Sequence, residues 1–187
     1  MTFHNWPSGG IQWKGVGVLK QPNDLILQQQ IIWNTKPDVL VETGSWRGGS
    51  ALFYADIGVD VVTVEVNSRA KPWPTHDRII HLAGLSTDSA IRDRVYSECD
   101  GRRVMVVLDS DHHKRTVLDE LELYAGLVSP GCYLVVEDTA FGRTVNFEFA
   151  GDGPQDALDE WLPSHPEFTV DTSITATEHP GGYLIHD

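Results

Sequence analysis

Five short apolar runs, separated by stretches of helical spacing, constrain the fold of this chain more than any other feature. They are Asp38-Val-Leu-Val-Glu-Thr43, Asp60-Val-Val-Thr-Val-Glu-Val66, Arg78-Ile-Ile-His-Leu82, Arg103-Val-Met-Val-Val-Leu108 and Gly131-Cys-Tyr-Leu-Val-Val136. None alternates apolar with polar residues, as a strand with one wet face would, so each predicts a strand buried on both sides. The segments 50–55, 88–98, 116–125 and 154–162 carry helical patterns; in 116–125, Leu118, Leu121 and Tyr124 recur every third residue. Strands alternating with helices imply an α/β fold with a mostly parallel sheet covered on both faces. Two later runs, 168–172 and 183–186, flank Pro180-Gly181-Gly182 and predict an antiparallel pair at one edge. An earlier amphipathic helix is expected from Asn23, a natural N-cap, to a point before Pro37. Residues 1–22 read as an arm packed by Trp6 and Trp13, and 23–187 as a single domain without repeats or linkers.

Charge narrows the partners. Residues 1–114 hold 12 basic and 13 acidic side chains, whereas residues 115–187 hold 2 basic (Arg115, Arg143) and 14 acidic ones. Phosphate backbones are read by clustered Lys and Arg, so nucleic acid is a poor partner, and the acidic half should disfavour anionic ligands. A hydrophobic content of 41% with 22% charged residues is that of a globular chain rather than a disordered acidic one. No apolar run reaches the ~20 residues of a membrane span, and Met1–Trp6 lacks the pattern of a secretion signal, so a cytoplasmic protein is expected. Cys99 and Cys132 have no metal-ligand spacing and read as reduced thiols.

Ligands of open parallel sheets bind at the carboxyl ends of the strands. After the first run comes Glu42-Thr-Gly44-Ser45-Trp46-Arg-Gly48-Gly49-Ser50, a glycine-rich turn into a helix N-terminus where a ligand can approach the backbone. It is neither a Walker loop nor a strict dinucleotide fingerprint. Glu65 ends the next strand, where a carboxylate can grip ribose hydroxyls, and together with the glycine turn it suggests an adenosine-containing cofactor. Asp109 follows the fourth run, and Glu137 and Asp138 follow the fifth. If those strands are neighbours, the three carboxylates converge as hard oxygen ligands suited to Mg²⁺. His112, three residues beyond Asp109, is placed to act as a general base, whereas His113 should point away from it.

At these residues the sequence resembles the cephalosporin hydroxylase and rhamnosyl O-methyltransferase family, a branch of the class I S-adenosylmethionine-dependent methyltransferases. The matching pieces are Gln29–Trp33, Pro37–Gly44, Gly48–Leu52, Leu108–His112, Leu121–Ala125, Leu127–Thr139 and Gly153-Pro154 through Pro180, Gly182 and Leu184. The resemblance implies a Rossmann-like fold whose seven-stranded, mostly parallel sheet has an antiparallel C-terminal edge. It implies that Glu42, Gly44, Trp46 and Ser50, with Ser45 and Gly49 in the same turn, hold the methionine part of S-adenosyl-L-methionine. Glu65 would take the ribose, and Ser86 would lie by the adenine. Asp109, Glu137 and Asp138 match the magnesium ligands, and His112 the base. Where the family reads Asp-Ile-Asp, this chain has Glu65-Val66-Asn67, and the segment 140–152, expected near the acceptor, has no family pattern.

The implied activity is Mg²⁺-dependent methyl transfer to a hydroxyl of a small-molecule acceptor, a sugar or glycoside first, without nucleic acid or membrane. The acceptor pocket would be built from sheet-top loops, the N-terminal arm or a second subunit, since small members of the family commonly pair. Trp6, Trp13, Trp46, Trp73 and Trp161 are candidates to stack on sugar faces. Two rivals stay open. An iron oxygenase would draw on His165 and Glu167 with His179 or His186, and a non-catalytic subunit would keep only the fold.

Overall fold

A computed structural model of the chain describes residues 11–66 and 72–187. Trp6, and Asn67 in the Glu65-Val66-Asn67 departure, lie outside the described residues. A hairpin of β1 (Ile11–Trp13) and β2 (Val16–Val18) comes first, then α1 (Pro22–Thr35), β3 (Val39–Thr43), α2 (Gly49–Asp56), β4 (Asp60–Glu65) and β5 (Ile79–Ala83). These are followed by α3 (Ser89–Cys99), β6 (Val104–Leu108), α4 (Lys114–Tyr124), β7 (Tyr133–Val136), α5 (Pro154–Trp161), β8 (Phe168–Val170) and β9 (Tyr183–His186). The seven-stranded sheet runs β5-β4-β3-β6-β7-β9-β8, parallel except where β9 pairs with β7 and β8. The expected architecture, including the antiparallel edge, is therefore the observed one.

The unbroken apolar runs are explained by two cores, one on each face. Along β3, Val39 and Val41 pack with α3, α4 and α5, while Leu40 packs with α1 and α2. In β6 the same division sends Val104, Val106 and Leu108 one way and Met105 and Val107 the other. A continuous apolar strand is what such a doubly covered sheet requires.

Two local expectations are corrected. The first long helix starts at Pro22 rather than after Asn23, because proline's fixed φ and missing N–H suit the first helical turn. The arm, for which the sequence suggested no strands, contains a hairpin, and it packs on α2: Trp13 sets its ring edge-on to Phe53 at 5.1 Å and donates its Nε1–H to Asp56 at 2.6 Å. Cys99 and Cys132 are free and buried, and burial pushes both thiols up. Among the described residues no helix is long and apolar enough to cross a membrane.

The chain reverses its winding between β3 and β6, so their carboxyl ends open a crevice. Gly44 makes the close approach possible. Its φ is +82°, and a Cβ there would sit 1.8 Å from the Asp109 carbonyl oxygen. Gly44→Ala should therefore cost more than about 3 kcal/mol in chemical denaturation, combining backbone strain with a collision of main chains. Gly58 has φ +104° and nothing within 4 Å, so Gly58→Ala should cost only about 1 kcal/mol. Equal losses would show that the strand approach does not depend on the missing side chain.

Candidate active site

Two adjoining hollows occupy the crevice. The larger, of about 340 Å³, is lined by Lys20, Gly44, Ser45, Trp46, Ser50 and Glu65 on one side and by Asp109, His112, Asp138 and Phe141 on the other. The smaller, of about 190 Å³, shares Gly44, Glu65 and Ser110 with it and continues to Gly84, Leu85 and Ser86. A groove of this length passes every residue expected to touch the cofactor except Glu42 and Gly49.

The turn that forms its wall is held by specific bonds. Trp46 adopts a left-handed φ of 46° and donates its backbone N–H to Glu65 Oε2 at 2.7 Å, so the β4 carboxylate caps the β3 turn. Arg47 covers the Trp46 ring 4.5 Å from its centroid. Gly49 starts α2 against the hairpin, where a Cβ would stand 2.2 Å from the Gly17 carbonyl oxygen. Ser45 is buried, lines the hollow, and its hydroxyl has no hydrogen-bond partner among the described residues. A buried hydroxyl of this kind calls for a polar ligand group.

Opposite stand the acids. Because β6 and β7 are parallel neighbours, Asp109 and the pair Glu137-Asp138 do meet at one end of the sheet. Among the described residues, Asp109, His112 and Asp138 form the group whose ligand atoms lie within 4.8 Å of one another. His112 Nε2 is 3.2 Å from Asp138 Oδ2, and its ring meets Phe141 edge-on at 5.0 Å. His112 precedes α4 instead of opening it. It lies in a loop fixed by Glu120, a buried residue of α4 that accepts the Ser110 hydroxyl at 2.6 Å. His113 turns away to Asp152 at 2.9 Å, and Asp111 accepts from the His113 N–H and the Thr116 hydroxyl at the start of α4.

Glu137, expected with Asp109 and Asp138, is engaged by Gln28 and Lys20. Its Oε1 accepts from Gln28 Nε2 and from Lys20 Nζ, both at 2.7 Å. The same ammonium lies 2.6 Å from Asp109 Oδ2 and 3.9 Å from Glu42 Oε1. Burial would strip the charge from Lys20, but Asp109 and Glu137 outweigh it and hold the amine well above its ordinary range. Burial likewise acts upward on Glu137, and the ammonium reverses it, bringing the carboxyl down to about 2. Asp109 is pushed up, by burial first and by Glu137 next. Burial also raises Asp138, against the opposing pull of His112. Glu42 lies beneath the floor, accepting from the Thr63 hydroxyl at 2.8 Å and raised by burial; its Oε1 makes no hydrogen bond among the described residues.

Sequence reasoning passed over three of these residues. Lys20 gives no signal in one sequence, since lysines are almost never buried unless paired. Gln28 does give one: the buried stripe of α1 is Asp24, Leu25, Gln28, Ile31 and Ile32, and two polar residues in an apolar stripe need partners. His179, considered only for an oxygenase set, lies under the cleft, where its Nδ1 accepts the Asp138 N–H at 2.7 Å. His165 stacks on Trp161 and His186 on Phe168, each with its Nδ1 on a backbone carbonyl, so the oxygenase set is not assembled. Of the tryptophans, Trp46 faces the cleft; Trp13 and Trp161 pack in the body, and Trp73 stacks on His81.

A sheet in this order, with a glycine turn after its central strand and acids after the next two, is that of a class I methyltransferase. Solved structures agree: a CmcI structure with Mg and S-adenosylmethionine has a TM-score of 0.72 at 16% identity, covering 98% of this chain and 86% of that one. An O-methyltransferase from Bacillus cereus in complex with S-adenosylhomocysteine gives 0.62 at 16%, covering 97% and 84%. The family model described as rhamnosyl O-methyltransferase/CmcI matches residues 7–186, and the chain belongs to that family. Relatives include the rhamnosyl O-methyltransferases of Mycobacterium tuberculosis H37Rv, 29% identical over 99% of this chain and 84% of that protein, and of Mycobacterium leprae, 30% identical over 88% and 78%.

Asp138 itself has a left-handed φ of 54°, a conformation uncommon outside glycine. The His179 ring secures it through the Asp138 N–H. His179→Ala should lower stability by about 1–3 kcal/mol in urea denaturation, the cost of a buried donor left unmade. A loss under about 0.5 kcal/mol would show that the turn holds without the ring.

Proposed function

We infer that the protein is an S-adenosylmethionine- and Mg²⁺-dependent O-methyltransferase acting on a hydroxyl of a small-molecule sugar or glycoside. The grouping of Asp109, His112 and Asp138 at the mouth of the groove carries this reading, with support from relatives named rhamnosyl O-methyltransferase and from a similar structure that holds Mg and S-adenosylmethionine.

The groove suits the cofactor. Ser45, Trp46 and Ser50 would enclose the methionine part, with the buried Ser45 hydroxyl meeting its polar groups, while Gly49 lets α2 close against the hairpin behind them. Glu65, at the junction of the two hollows, would receive the ribose, and Ser86, in the smaller one, the adenine side. Gly44 gives the backbone clearance, and Glu42 supports the floor from below. Asp109 and Asp138 offer the hard oxygens that Mg²⁺ prefers. The ion supplies Lewis acidity to the acceptor oxygen.

Methyl transfer is an in-line displacement. The acceptor oxygen forms a bond to the methyl carbon as the carbon–sulfur bond breaks, its electron pair returns to sulfur, and the hydroxyl proton must leave. Positioning supplies most of the acceleration. His112 lines the same hollow and would take that proton on a ring nitrogen, oriented by Asp138 and by the Phe141 edge. Phe141 and Phe149, with centroids 5.5 Å apart, offer an apolar face beside the acids on which a sugar could rest.

His112→Ala should keep S-adenosylhomocysteine binding in calorimetry while methyl transfer to a panel of rhamnosyl and other glycosides falls ~10²–10⁴-fold. Unchanged turnover would remove His112 as the base. Transfer that survives chelation of Mg²⁺ would remove the metal from the reading.

A further inference from the structure

Among the described residues Lys20 is the most deeply placed cation, 3% exposed, and it reaches the acids from the connection between the N-terminal hairpin and α1. Its ammonium bridges Asp109 Oδ2 at 2.6 Å and Glu137 Oε1 at 2.7 Å. Glu137 is held from its other sides as well. Gln28 donates to the same oxygen, the Tyr54 hydroxyl bonds Gln28 Oε1 in turn, and His179 Nε2 lies 3.6 Å from Oε2. One carboxylate of the expected metal set is thus committed to protein cations and donors, while Asp138 faces the cleft and Asp109 is shared.

We propose that Lys20 is a built-in counter-cation that draws Glu137 out of the metal set and sets how tightly Asp109 and Asp138 hold a divalent ion. The inference rests on the methyltransferase reading above. Its physical basis is additive charge. Without Lys20 the acids Glu42, Asp109, Glu137 and Asp138 would stand together in a low-dielectric floor, a strongly attractive place for a dication. With Lys20 one positive charge is already there, so the ion is weakened and confined to the cleft side. Lys20 touches neither cofactor nor acceptor in this scheme and acts through the carboxylates, as a positioning residue. It also couples the arm to the chemistry, because the same segment, Gly17 to Lys20, forms one wall of the larger hollow.

The direction of the effect separates this role from a merely structural one. Mn²⁺ binding, followed by electron paramagnetic resonance with S-adenosylhomocysteine present, should tighten on the order of tenfold or more in Lys20→Met relative to wild type. A lysine that only packs the floor would loosen the site when removed, so weaker or unchanged Mn²⁺ binding in Lys20→Met overturns the proposal. Wild-type protein that binds no Mn²⁺ overturns instead the metal-dependent reading on which the proposal rests. If Lys20→Met does not fold, wild-type protein labelled with ¹⁵N-lysine carries the test. The Lys20 ammonium resonance should be displaced by Mg²⁺ and broadened by Mn²⁺ over the range in which Mn²⁺ binds. A resonance insensitive to both ions places the ion elsewhere and overturns the proposal.

Discussion

The crevice is organised around one buried ammonium. Lys20 sits where β3, β6 and β7 end, and without it three acids would face each other in the dry interior. Removing one partner of such a cluster leaves an uncompensated buried charge, an arrangement that typically costs about 3–5 kcal/mol. The cluster is therefore built to be complete. Tyr54 and Gln28 from the two helices on that face, His179 from the segment before β9, and Lys20 from the arm all converge on it. Four separate parts of the chain are tied at the point where the sheet changes direction, which fixes the mouth of the groove before any ligand arrives.

Topology and charge then divide the labour. The parallel strands deliver carboxylates to one edge because their carboxyl ends all lie there. Alternation along β7 and the turn after it sends successive acids opposite ways, Glu137 inward to the ammonium and Asp138 outward to the cleft. The left-handed backbone of Asp138 is part of that reversal, and the His179 ring secures it. On the other wall, Glu65 caps the turn that carries Trp46, so a single carboxylate shapes the groove and remains at its edge.

Much of this was legible in the residues. Unbroken apolar runs announced a sheet buried on both faces, and the glycine turn and strand-end acids announced the site, because both follow from local pattern. What stayed hidden depends on contacts between distant parts of the chain. The hairpin was obscured by its three-residue strands and glycines, too short for a period to register. Lys20 and Glu137 lie 117 positions apart, and only the closed fold joins them. Gln28 was half visible, a polar residue on the buried face of α1, whose partner no helical period can name. The sequence assigned Glu137 to the metal by its position after a strand. A strand end fixes where a residue stands, and the charges around it decide where its side chain turns.

The central claim is that a dication is held on the cleft side by Asp109 and Asp138 while Glu137 stays with Lys20. Anomalous scattering from crystals grown with S-adenosylhomocysteine and Mn²⁺ tests it most directly. The account predicts one peak bonded to Asp109 and Asp138, with Lys20 still in contact with Glu137. A peak bonded to Glu137, with the ammonium displaced, would contradict it.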